Sequence, residues 1–155
     1  MGCIYGVLPP IPPPPPFRGI EPVKPHITLV KIDRCTKVDI KYRAFTASVK
    51  DVAILPSKTR PRYIALLVEP KGEFAALRTL LTAAVSGYVL ERYGEFKPHI
   101  TLYSIRLKHP TEEEVAAAVE EVKKYMGYVF RVVSLHLLDT RGGLYTPLYT
   151  INLYG

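Results

Sequence analysis

The chain contains no tryptophan and no glutamine, and its one asparagine is Asn152. Depletion of thermolabile side chains is a habit of proteins from hot environments, so a thermophilic source is expected. Cysteine is limited to Cys3 and Cys35, without C-x-x-C spacing. That excludes a cysteine-framed zinc module, and the pair reads as reduced thiols of a cytoplasmic protein rather than a disulfide framework. With four histidines and few convergent acids, a zinc site is the weaker reading, and no metal or other cofactor is expected. No apolar run approaches a membrane span, and no basic-then-apolar leader appears. Gly6 stands where a myristoylation signal has Ser or Thr. No membrane association is expected.

What is present starts with one duplication. Lys24-Pro25-His26-Ile27-Thr28-Leu29 recurs unchanged as Lys97-Pro98-His99-Ile100-Thr101-Leu102. Chance produces such a match in a chain this long with a probability on the order of 10⁻³ or less. Each copy alternates polar and apolar residues after its Pro, as a half-buried strand does. Side chains at i and i+2 share a face of a strand. Each copy therefore sets an imidazole beside a hydroxyl on one face, with Ile and Leu anchors on the other.

The 155 residues fit one domain with a real core. A net charge of +7 favours a polyanionic partner such as RNA. Residues 3–8 can form a short strand. The stretch 9–16, rich in proline, must be extended, because each Pro lacks a donor and fixes φ. A stiff surface connector is the plainer reading, a docking ligand for an aromatic groove the sharper one. The first repeat strand is expected over 25–32, followed by a loop or helical turn over 33–41. A hairpin of Arg43–Leu55 and Tyr63–Glu69 turns at Pro56–Pro61.

A long helix is expected from Lys71 to about Arg92, with Phe74, Leu77, Leu81 and Ala84 or Val85 on its apolar face; Gly87 and Gly94 punctuate its end. The second repeat strand spans about 96–106. Thr111 and Glu114 make a capping box for a second helix with the stripe Val115, Val119, Val122 and Met126, ending at Gly127. Strands at 128–138 and 144–153 close the chain through Asp139–Gly143. The sum is an α+β fold with a mainly antiparallel sheet.

The tandem H-x-T pair resembles the two-histidine (2H) phosphoesterase superfamily, and within it the RNA 2′,3′-cyclic phosphodiesterases, also called 2′-5′ RNA ligases. Phe96-Lys97-Pro98-His99-Ile100-Thr101-Leu102 is similar to that family's F-x-P-H-x-T-L, Arg60–Leu66 to the strand before its long helix, and Gly143–Leu148 to its closing hairpin. The resemblance covers about 20–153 and implies a bilobal, pseudo-twofold arrangement of mainly antiparallel sheets lining a central cleft, with two main helices outside. Two departures stand out. The proline run replaces most of the strand and helix that usually precede the first motif. Where relatives often carry Arg five residues after the second His, this chain has Ser104, and strict alternation sets Arg106 on the face away from His99.

The resemblance implies a monomeric, metal-independent enzyme acting on RNA with 2′,3′-cyclic phosphate ends. Such an enzyme gives 2′-phosphate ends and, run backwards, 2′-5′ ligation. His26 and His99 would be the acid–base pair, and Thr28 and Thr101 would bind the non-bridging oxygens. An ordinary imidazole pKa near 6.5 allows both protonation states near neutrality, so a bell-shaped activity centred near pH 6–7 is expected. Lys24 and Lys97 fall on the His face, where they hold phosphate or are simply solvated. Tyr145 stacks a base or packs in the core. His136 reads as structural and His109 as exposed and inert. The alternatives are a phosphodiesterase for small cyclic nucleotides or ADP-ribose cyclic phosphate, and an RNA-binding module without catalysis. The last has no need of paired proton donors and acceptors.

Overall fold

The computed structural model describes residues 2–85, 89, 95–106 and 110–155. Eight strands and two helices make it up: β1 (Cys3–Val7), β2 (Ile20–Ile32), β3 (Phe45–Pro56), β4 (Pro61–Glu69), α1 (Lys71–Ala84), β5 (His99–Ile105), α2 (Glu112–Lys123), β6 (Val129–Val132), β7 (Ser134–Asp139) and β8 (Thr146–Asn152). They form one sheet in the order β6-β3-β4-β5-β2-β1-β7-β8. All its neighbouring strands are antiparallel. The two repeat strands, β2 and β5, are adjacent at its centre, with three strands flanking each, so the two halves share one continuous α+β framework.

The apolar anchors of the duplication hold that centre. Ile27, Leu29, Ile100 and Leu102 are fully buried and share one core cluster with Phe74, Leu77 and Leu81 of α1 and with Ala118 and Val122 of α2. Burying each such side chain is worth about 1.5–3 kcal/mol. The helices therefore cover one face of the repeat strands and leave the histidine face open.

Helix α1 is described to Ala84, with Val85 rather than Ala84 on the buried side; Gly87, Arg92 and Gly94 lie outside the described residues, as does His109. In α2 the capping box forms: Thr111 Oγ1 accepts from the Glu114 amide at 3.2 Å, and Glu114 Oε1 accepts from the Thr111 amide at 3.1 Å. Gly127 follows at φ +78°, a left-handed turn that ends the segment. Met126, expected on the apolar stripe, is 46% exposed, because the helix has already ended at Lys123.

The strand expected over 128–138 is two strands. β6 pairs with β3 at one end of the sheet, whereas β7 pairs with β1 and β8 at the other. Only Val133 joins them, so the sheet must curl until its ends approach. The curl is pinned where Arg43 bridges Tyr154: the Ala44 amide donates to the Tyr154 carbonyl at 2.7 Å and the Tyr154 amide to the Tyr42 carbonyl at 3.0 Å. Periodicity could not reveal this break, since 128–138 alternates plausibly throughout.

The proline segment runs from β1 to β2 as a connector. Pro9, Ile11 and Pro14 are buried, and the Tyr103 hydroxyl donates to the Pro15 carbonyl at 2.6 Å.

Cys3 and Cys35 overturn the reduced-thiol reading, for they form a disulfide. The pairing follows from strand register. Cys3 stands opposite Ile32 in the β1–β2 ladder, so Cys35, three residues further on, comes within a Cα–Cα distance of 5.3 Å. A loop of 32 residues closed in this way constrains the unfolded chain by about 3–4 kcal/mol. Reduction should lower the unfolding free energy by that order, as chemical denaturation with and without reductant will measure. The Tyr5 hydroxyl holds the same segment, donating to the Thr36 carbonyl at 2.7 Å and accepting from the Val38 amide at 2.9 Å.

Candidate active site

Strand register brings the two motifs together. His26 stands opposite Thr101 and Ile27 opposite Ile100. The same antiparallel register sets Thr28 across from His99. All four polar side chains line one cleft of about 620 Å³, a size suited to a small-molecule ligand.

Each histidine is aimed in the same way. The Nδ1 of His26 lies 2.8 Å from the Lys24 carbonyl, and the Nδ1 of His99 lies 2.8 Å from the Lys97 carbonyl. A carbonyl can only accept, so each Nδ1 carries the proton. In the neutral ring, Nε2 then keeps its lone pair. One local device, repeated with the sequence, fixes both tautomers.

The two imidazoles differ in their surroundings. His26 is 4% exposed, and the Tyr145 ring stacks on it with centroids 3.9 Å apart and 26° between planes. His99 is more open. Burial pushes the His26 pKa down to about 4; the Lys24 carbonyl opposes the shift, while the charges of His99, Lys31 and Lys24 add to it. His26 is thus neutral at pH 7, which replaces the expectation of two ordinary imidazoles. Its folded pKa lies below the unfolded value, so between about pH 4 and 6.5 the unfolded chain binds the extra proton and stability rises with pH. Titrating from pH 7 to 4 should cost roughly 3 kcal/mol through this group. His26→Asn should flatten that part of the stability–pH curve relative to the parent.

Tyr145 reaches its place through an unfavourable backbone. It follows Gly142 and Gly143, both at positive φ, and itself has φ +50°. A non-glycine residue there costs about 1–2 kcal/mol, an amount that stacking and one hydrogen bond can offset. The hydrogen bond comes from Lys24, whose Nζ donates to the Tyr145 carbonyl at 3.1 Å. Lys24 is thereby withdrawn from the cleft and lines a neighbouring recess, whereas Lys97 lines the cleft itself. The two repeat lysines, identical in sequence, have different surroundings.

A bulge follows each Thr. On β2 the pairing with β1 slips so that Tyr5 opposes Val30 and Gly6 opposes Thr28, leaving Leu29 extra. On β5 the pairing with β4 slips so that Ile64 opposes Tyr103 and Ala65 opposes Thr101, leaving Leu102 extra. Leu29–Val30 and Leu102–Tyr103 are consequently buried in succession, and the alternation resets by one residue. Ser104 and Arg106 therefore line the cleft, correcting the placement of Arg106 by strict alternation. Lys31, five residues after His26 as Ser104 is after His99, joins them. Small residues stand beside both threonines; a Cβ on Gly6 would lie 2.5 Å from the Ile27 carbonyl oxygen.

Lys31, Tyr63, Arg78 and Glu21 also line the cleft without having been singled out in the sequence. The equal spacing of Lys31 and Ser104 from their histidines was the available signal. His136 is elsewhere: its Nδ1 lies 3.0 Å from Thr150 Oγ1 and its Nε2 3.3 Å from Ser134 Oγ. Burial first, then the Lys24 charge, lowers its pKa. Among the described residues no three His, Cys, Asp or Glu side chains gather to hold a metal ion. Among them, too, no helix is long and apolar enough to cross a membrane.

A curled antiparallel sheet with paired H-x-T strands at its centre defines a class of phosphoesterase fold. Residues 16–144 match the model of the 2′-5′ RNA ligase superfamily, and the chain belongs to that family. Similar solved structures are TT0787 of Thermus thermophilus, with TM-score 0.74 and 23% identity over 100% of this chain and 99% of that one; a phosphoesterase, with 0.64 and 19% over 99% and 98%; and the apo form of E. coli LigT, with 0.59 and 19% over 99% and 98%. These likenesses are of fold. No curated protein sequence matches the chain.

Proposed function

We propose that this chain is an RNA 2′,3′-cyclic phosphodiesterase working by paired-histidine acid–base catalysis, without a metal. The observation that carries the reading is the pair of identically tethered imidazoles, each with a Thr beside it, lining one cleft. In the proposed step, neutral His26 takes a proton through Nε2 from a water that attacks phosphorus. His99, protonated, gives a proton through Nε2 to the departing ribose 3′ oxygen. The P–O3′ bond breaks as the P–O(water) bond forms, leaving a 2′-phosphate and a 3′-hydroxyl. His26 gains one proton as His99 loses one, so exchange with solvent restores the pair. Thr28 and Thr101 donate hydrogen bonds to the non-bridging oxygens, where charge builds in the transition state. With a 5′-hydroxyl in place of water, the same step makes a 2′-5′ linkage.

The assignment of His26 as base rests on its burial under Tyr145, which holds it neutral. Product analysis of an oligoribonucleotide ending in 2′,3′-cyclic phosphate, incubated with EDTA, tests the reading. A 2′-phosphate product is expected. RNA that is bound but left uncut would favour a binding module instead, and turnover of cyclic mononucleotides alone would favour a small-nucleotide enzyme.

A further inference from the structure

The cleft is nearly twofold in its chemistry but not in its charge. The flank beyond Thr101 holds Ser104, Tyr63 and an ion pair, with Arg106 Nε 3.2 Å from Glu21 Oε2. Its charges cancel. The flank beyond Thr28 holds Lys31, Lys97 and Arg78. There Arg78 donates to the Leu29 carbonyl at 2.6 Å and lies over the Phe96 ring. Glu95 is the one carboxylate on that flank among the described lining residues, and Lys71 Nζ holds it at 2.8 Å. Neither Lys31 nor Lys97 has a hydrogen-bond or ion-pair partner for its ammonium among the described residues.

The two lysines come from opposite halves. The bulge at Leu29 turns Lys31 onto the cleft face, and the segment leading into β5 carries Lys97 two residues before His99. Two solvated cations facing one end of a cleft, where the one acid among the described lining residues of that flank is held by Lys71 and also feels Lys97, form a site for an anion. Lys31 lies three residues beyond Thr28, about 10 Å along a strand. That offset suits the next phosphate along a chain. The neutral, tyrosine-bearing flank opposite suits an uncharged group.

We propose that Lys31 and Lys97 form a subsite for the phosphate one nucleotide away from the reacting one, so that the enzyme selects oligoribonucleotide ends over cyclic mononucleotides. The proposal rests on the phosphodiesterase reading above. It also places the charge that Ser104 lacks on the other half of the molecule.

The test compares kcat/KM for a cyclic mononucleotide and for a short oligoribonucleotide with the same 2′,3′-cyclic end, in the parent, Lys31→Ala, Lys31→Arg and Lys97→Ala. Preference for the oligomer should fall about tenfold in each alanine variant, through KM, and Lys31→Arg should restore most of it. The log–log salt dependence of binding to an oligomer with a 2′-phosphate end should become shallower by about 0.7 per lysine removed. Equal losses on both substrates would place the lysines at the reacting phosphate, and unchanged kcat/KM on both would remove them from binding; either result overturns the subsite. If the parent opens neither substrate, the phosphodiesterase reading fails. The salt slopes then judge the subsite alone, and slopes unchanged by both alanine variants overturn it.

Discussion

Replacing His26 or His99 by Ala should lower turnover of a cyclic-phosphate end by roughly 10²–10⁴, the usual contribution of one general acid or base. The double variant should lose far less than the product of the two single losses, because neither proton transfer helps without its partner. Folding has to be checked alongside. His26 is almost wholly buried beneath Tyr145, so His26→Asn, which keeps polar atoms in the space, complements the alanine. His99 is more open, and His99→Ala should fold as the parent does. Strictly multiplicative losses in folded variants would mean that the imidazoles do not act as a pair.

Thr28→Val or Thr101→Val should lower turnover by about 10²–10³, the usual size for one donor to a developing oxyanion. Neither change should move the limbs of the pH profile, because hydroxyls stabilise charge here and do not titrate. In the parent, kcat/KM should fall as pH drops through about 4, where His26 gains a proton and loses its lone pair. A phosphate in the cleft favours the charged imidazole, so the same limb in kcat should lie higher. EDTA should leave the rate unchanged. A rate that EDTA abolishes and that rises steadily with pH would indicate a metal-bound hydroxide and end the two-histidine mechanism.

The paired H-x-T faces were legible in the sequence because they are written in short-range terms. A six-residue duplication with alternating polarity is enough to place His and Thr on one face of a strand and Ile and Leu on the other. The capping box of α2 was equally legible, since both partners lie within one turn. The anchors Ile27, Leu29, Ile100 and Leu102 are the face on which the helices pack, so the core could be read from the same twelve residues.

What the tertiary structure decided depends on partners distant in the chain. The break at Val133 exists because β6 and β7 find different neighbours, and local alternation carries no record of neighbours. Slips in pairing with β1 and β4 set the bulges that bring Lys31 and Arg106 into the cleft. The Cys3–Cys35 bond follows from the β1–β2 register. Lys24 and Lys97 sit in identical hexapeptides, yet one holds the Tyr145 loop while the other faces the cleft. Sequence symmetry determined which side chains are duplicated. Their different roles arise because the loop from Gly142 to Tyr145 closes over one half, burying one imidazole while its duplicate stays more open.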